Sequence, residues 1–182
     1  RLNGKDKEFS NVWYTFATPE GVFFCSREKL FRYHHNRITV WNPDNLFWNF
    51  FYVNGILFIR EEGAGLMALN KDRIETIRGS EIFSGERIGA MLPLGKNRIL
   101  VGSRTKGLYE MEYSGSGGLF SASFNLLRCD AENYLAQNQL YHGIKLSNGN
   151  FAFATLNGGV IIINAKGEET ERFTKNSGIN DD

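Results

Sequence analysis

A short motif recurs four times along this chain, and that periodicity constrains the fold more than any other feature. A turn containing Gly or Asn leads into an apolar strand, then a small polar break, then a second apolar strand. The copies read Glu20 to Ser26 then Leu30 to Tyr33; Asn54 to Arg60 then Gly65 to Leu69; Lys96 to Ser103 then Gly107 to Met111; and Asn148 to Thr155 then Gly159 to Ile163. With Cys25, Ile59, Gly102 and Ala154 as equivalent positions, the spacings are 34, 43 and 52, a mean of 43 residues. Another apolar strand enters each turn: Asn11 to Ala17, Leu46 to Val53, Ile88 to Leu94 and Leu140 to Leu146. A fourth follows each pair: Arg37 to Trp41, Arg73 to Ile77, Leu119 to Phe124 and Glu169 to Phe173. Each unit is therefore a four-stranded meander. Such a sheet cannot bury both faces alone and stacks on copies of itself, as the blades of a propeller do. The expected fold is all-β: about four antiparallel four-stranded blades of a partial β-propeller, near 8–44, 45–83, 84–136 and 137–182 of one domain covering residues 1–182. The four-strand period disfavours a solenoid of hairpins or a two-sheet sandwich. In the third unit, loops at Ser114 to Gly118 and Arg128 to Gln139 account for the longest spacing, and helices should be nearly absent.

Composition agrees with a packed β domain. Fifteen Phe beside Val, Ile and Tyr suit half-buried pleated strands, and 20 Gly against three Pro suit many hairpins. With 21 Lys plus Arg against 20 Asp plus Glu, there is no excess field to hold a nucleic acid. Leu46 to Ile59 is broken by Asn49, Asn54 and Gly55 and is shorter than the roughly 20 residues of a spanning helix, so no membrane segment is expected. Arg1 opens the chain without a basic n-region or apolar h-region, which puts any targeting signal upstream. Cys25 and Cys129 make no disulfide framework and have no Cys or His at ligand spacing; both read as free thiols.

No catalytic or metal constellation emerges, and no cofactor is implied. His34-His35 belongs to the turn between the third and fourth strands of the first unit. Adjacent strand residues point to opposite faces, so the two imidazoles make a poor ligand pair, and His142 is distant in sequence. Glu61-Glu62-Gly63 reads as a solvated turn. Gly115-Ser116-Gly117-Gly118 is a hairpin turn with no phosphate-binding helix after it. Trp41, Trp48 and the Phe47 to Tyr52 cluster read mainly as packing between blades. One set of turns does gather on a single propeller face: those between second and third strands, and the connections between blades. Arg27, Glu61, Arg104 and Asn157 map there, with Trp41 and Asn42 in the first connection. These six are the candidate ligand-binding residues, for an unknown small molecule or oligosaccharide.

The last copy, Asn148-Gly149-Asn150-Phe151-Ala152-Phe153-Ala154-Thr155-Leu156-Asn157-Gly158-Gly159-Val160, followed by Lys175-Asn176-Ser177-Gly178-Ile179-Asn180, resembles the two-component regulator propeller repeat. Arg98 to Leu108 matches nearly as well, with Gly102-Ser103 and Gly107-Leu108 at the family's Gly-Thr and Gly-Leu positions. The second copy is degenerate and the first lacks its second glycine, although the resemblance runs over about residues 8 to 182. It implies an extracytoplasmic, periplasmic sensory module of an inner-membrane histidine kinase, often followed by a triple-tyrosine domain, with ligand recognition rather than catalysis in this region. The rival readings are a lyase or hydrolase acting on carbohydrate and a protein-binding scaffold. The closing Asn176 to Asp182 resembles the lead-in to a further blade. An open arc leaves two apolar blade faces, each on the order of several hundred Å², to be buried by self-association or left as labile edges, with a strained closed ring of four blades as the competing outcome.

Overall fold

The computed structural model describes residues 2–116 and 119–178, and its regular structure is four separate antiparallel four-stranded sheets. Blade 1 holds β1 (Tyr14–Thr18), β2 (Gly21–Cys25), β3 (Leu30–His34) and β4 (Arg37–Trp41). Blade 2 holds β5 (Phe47–Val53), β6 (Ile56–Glu61), β7 (Leu66–Asn70) and β8 (Arg73–Thr76). Blade 3 holds β9 (Ile88–Gly95), β10 (Arg98–Ser103), β11 (Gly107–Ser116) and β12 (Leu119–Leu126). Blade 4 holds β13 (Leu140–Lys145), β14 (Phe151–Thr155), β15 (Val160–Ile163) and β16 (Glu169–Phe173). Within every sheet the strands pair in chain order, as a meander requires. The turns follow local chemistry: Asn54-Gly55 joins β5 to β6 with both residues at positive φ, 52° and 80°, the geometry of a tight hairpin that Asn-Gly accepts at least cost.

Side chains alternate across each strand, and in the two middle blades both faces are apolar because both are covered. Leu57 and Ile59 of β6 pack with Phe23, Cys25 and Leu30 of blade 1, whereas Phe58 packs with Ile99, Val101 and Met111 of blade 3. Leu100 of β10 turns the other way, onto Phe151, Phe153, Ile161 and Ile163 of blade 4. The three buried clusters thus join blade 1 to 2, 2 to 3 and 3 to 4, and among the described residues none joins blade 4 back to blade 1. The fold is an open arc of propeller blades.

Blade 4 carries the small Ala152 and Ala154 on its outward face, beside the half-buried Val160 and Ile162 and the exposed Ile144 and Phe173. Blade 1 is partly covered by its own leading segment. There Phe9 packs on Phe31 with ring centroids 4.8 Å apart, and the Ser10 hydroxyl donates to Glu28.

Two local expectations change. Ser114 to Ser116 are not loop but the end of an extended β11, paired with Ser121 to Leu119 of β12, so the hairpin lengthens instead of looping out. The expected turn residues Gly117 and Gly118 lie outside the described residues. The Arg128 to Gln139 stretch holds one short helix, α1 (Glu132–Asn138), which buries Leu135 against blades 3 and 4. Both cysteines are free, Cys25 fully buried between blades 1 and 2. No helix among the described residues is long and apolar enough to cross a membrane.

Candidate functional site

Strand register puts the start of each inner strand beside the end of its second strand: Tyr14 pairs with Cys25, Phe47 with Glu61, Ile88 with Ser103 and Leu140 with Thr155. The entrances to β1, β5, β9 and β13 and the turns after β2, β6, β10 and β14 therefore share one face. Beneath that face the four inner strands line a groove of about 700 Å³ along the axis of the arc.

Of the six candidate residues, the groove gathers two. Arg27 and Arg104, from the turns after β2 and β10, both line it. Trp41 lies instead on the flank between blades 1 and 2, where its Nε1 donates to the Asp72 carbonyl at 2.9 Å and the Arg32 guanidinium covers its ring. Asn42 accepts from Lys29 Nζ at 3.0 Å. Glu61 is only 4% exposed, and its carboxylate accepts the Asn45 N–H, so it caps the entry to β5 rather than facing solvent. Asn157 is exposed, with its N–H donating to the Asn138 carbonyl. None of these four lines the groove.

The remaining wall comes from residues that precede or open the inner strands. Trp13 stands just before β1 with the Arg27 guanidinium 5.8 Å over its ring. Trp48, the second residue of β5, carries two arginines: Arg87 at 4.5 Å, immediately before β9, and Arg60 at 5.5 Å. Arg60 is fully buried. Its Nε donates to the Glu86 carbonyl at 3.0 Å and one Nη to the Ser84 carbonyl at 2.6 Å, while Arg60 Nη1 and Trp48 Nε1 are buried without a hydrogen-bond partner. Burial pulls the Arg60 guanidinium below the ordinary arginine value, opposed by the charges of Glu62, Glu86 and Glu61. Deeper in, Asn49 donates to the Tyr14 hydroxyl across blades 1 and 2, and at the far end Lys145 donates to the Pro93 carbonyl. Trp13 and Arg87 share one sequence signal, a large side chain directly before the first inner-strand residue.

Backbone bonds tie this face together. The Phe47 N–H donates to the Arg27 carbonyl at 2.8 Å, and the Leu140 N–H to the Arg104 carbonyl at 3.1 Å. Each arginine-bearing turn thereby holds the inner strand of the next blade. Between blades 2 and 3 the Arg60 side chain makes the corresponding link.

His34 closes β3 and His35 opens the turn to β4, and their rings lie 3.9 Å apart because His35 takes a positive φ of 46° and leaves the strand alternation. Among the described residues, no group of three or more His, Cys, Asp or Glu is placed to hold a metal ion.

Fold and groove define an open β-propeller arc whose axial face presents arginines and aromatic rings. No protein-family model matches the sequence, and no curated protein matches it. Among solved structures, the arc is similar to the extracellular domain of a protein described as hybrid two component system BT3049 from B. thetaiotaomicron, with a TM-score of 0.56 and 15% identity, covering 94% of this chain and 23% of that one. It is equally similar to the extracellular domain of hybrid two component system BT4673 from the same organism, with a TM-score of 0.58 and 19% identity over 89% of this chain and 21% of the other. The chain thus spans less than a quarter of either neighbour. At these identities the likeness is one of fold, and the fold is the propeller arc that the repeats from Arg98 to Leu108 and Asn148 to Val160 implied.

Proposed function

We propose that this chain is part of the ligand-recognition propeller of an extracytoplasmic two-component receptor, and that its axial groove binds a saccharide. The observation that carries this reading is the groove wall, where Trp13, Trp48 and Tyr141 are set among arginines on the one face that all four blades share. Flat rings cover the apolar faces of a sugar, and fixed donors read its oxygens. The repeat resemblance and the sensor ectodomains among the structural neighbours support the receptor half. Glycoside hydrolysis runs on a pair of carboxylates, and no Asp or Glu is among the described residues lining the groove, which favours binding over that chemistry.

Tryptophan fluorescence tests the reading directly. Titration with oligosaccharides is expected to change emission in the wild type and in Trp41→Phe, whose ring lies outside the groove, and to lose most of that change when Trp13→Phe and Trp48→Phe are combined. A signal that follows Trp41, or none from any saccharide, sinks the proposal.

A further inference from the structure

Four cationic side chains, Arg27, Arg87, Arg104 and Lys145, line the groove with no Asp or Glu among the described lining residues, and the acceptors beside them, on Tyr14, Asn49, Tyr52, Tyr141 and His142, are all neutral. Arg27, Arg87 and Arg104 all line its mouth, and none of the three is in an ion pair among the described residues. Arg104 Nε donates to a neutral acceptor, Gln139 Oε1, at 3.0 Å. Acids are present nearby but spent on the fold. Glu86, 8% exposed, accepts from the Arg87 N–H and the Thr105 hydroxyl, and Glu61 accepts from Asn45. A guanidinium has five donors and no acceptor, so three of them with no carboxylate in the lining leave donors and positive charge that a neutral polyol does not answer. It is well matched to a planar carboxylate or a sulfate, which arginine holds through two parallel bonds. Unneutralised like charges around one groove also repel, and an oxyanion relieves that repulsion.

We infer that the ligand is an acidic oligosaccharide, carrying carboxylate or sulfate groups held by Arg27, Arg87 and Arg104 while its ring faces lie on the exposed rings of Trp13 and Tyr141. This rests on the saccharide reading above and narrows it to a charge class. Arg87, an exposed residue whose guanidinium lies 4.5 Å over the Trp48 ring, is placed to hold an oxyanion beside that ring.

Calorimetric titration of the chain with four probes separates the possibilities: a tetra-uronide, a sulfated tetrasaccharide, a neutral tetrasaccharide and sodium sulfate alone. One or both acidic tetrasaccharides should bind at least tenfold more tightly than the neutral one, and the stronger of the two identifies the oxyanion. Binding should weaken as sodium chloride is raised. Arg87→Ala and Arg104→Ala should each weaken it about tenfold at an unchanged melting temperature, Arg87→Lys should fall between, and Arg98→Ala, which pairs with Glu110 outside the groove, should match the wild type. A neutral tetrasaccharide that binds as well as the acidic ones overturns the inference and leaves the saccharide reading standing. Sodium sulfate binding as tightly as the sulfated sugar overturns it in favour of a simple anion site. Silence from all four probes overturns both.

Discussion

Replacing Arg60 with Met keeps the aliphatic stem and its packing while deleting two charge-assisted bonds, to the Glu86 and Ser84 carbonyls. Each such bond is worth about 1.5–3 kcal/mol, so the gross loss is about 3–6 kcal/mol. Against it stands the desolvation of a fully buried guanidinium, one of whose nitrogens has no partner, which costs about 1–3 kcal/mol. The difference spans about 0–5 kcal/mol and centres on about 2–3 kcal/mol, the half to which it is drawn because the variant also strands the Glu86 carbonyl and leaves Glu61 and Glu86 without their nearby cation. For a domain of this size that is a fall of about 4–12 °C in melting temperature, read by far-UV circular dichroism and by urea titration at fixed m-value. Amide hydrogen exchange should accelerate around Ser84 to Ile88, the segment that Arg60 anchors. Arg60→Lys, which keeps the charge without the fork, is expected to recover part of the loss. A stability of Arg60→Met within about 0.5 kcal/mol of wild type would refute the reasoning, because the burial penalty would then cancel the bonds in full.

Glycines at the seam of blades 3 and 4 make a graded test. A methyl group at Gly89 would meet the Tyr141 and Leu140 carbonyls at 2.9 and 3.1 Å, so Gly89→Ala should cost about 1–3 kcal/mol; Gly102→Ala, which meets mainly the Leu140 side chain, should cost less, and Gly95→Ala, in open space, should stay within about 0.5 kcal/mol in the same urea assay. Equal losses at all three would exclude close backbone approach as the cause. Burial pushes the thiols of both cysteines up from their ordinary value, and Cys25 is wholly enclosed, so a thiol reagent at pH 8 should label Cys25 only as fast as the protein unfolds. Rapid labelling of Cys25 in the native state would contradict the blade 1 to blade 2 packing. For the outward face of blade 4, light scattering over a concentration series is expected to show a rising mass, with Ile162→Glu returning the chain to monomer. A wild-type monomer throughout the range rules out self-association through that face.

Fold was legible because each blade repeats one local rule, apolar strand, glycine turn, apolar strand, and the middle strands Ile56 to Ile59 and Ile99 to Val101 are apolar on both faces, as only a doubly covered strand is. The extended β11 was not, since Ser114, Gly115 and Ser116 have turn composition and are held straight by pairing with β12. At the site, turn position found Arg27 and Arg104 but also offered Glu61, because counting along a strand does not reveal that a carboxylate folds back to cap Asn45. Arg60 and Arg87 escaped notice for the complementary reason. They act on a neighbouring blade, and the pairing of Trp48 with an arginine from each of two blades is a tertiary fact that no single repeat contains.

In the turns after β2 and β10, the carbonyls of Arg27 and Arg104 receive the inner-strand N–H groups of the following blades, while their guanidiniums line the groove. Contact and joint are thus the same residue. A ligand that holds both guanidiniums is joined to an inter-blade hydrogen bond at each of two seams of the arc through a single side chain. The groove is laid out as a strain gauge is, with each ligand-facing guanidinium carried on the same residue whose carbonyl holds two neighbouring sheets together.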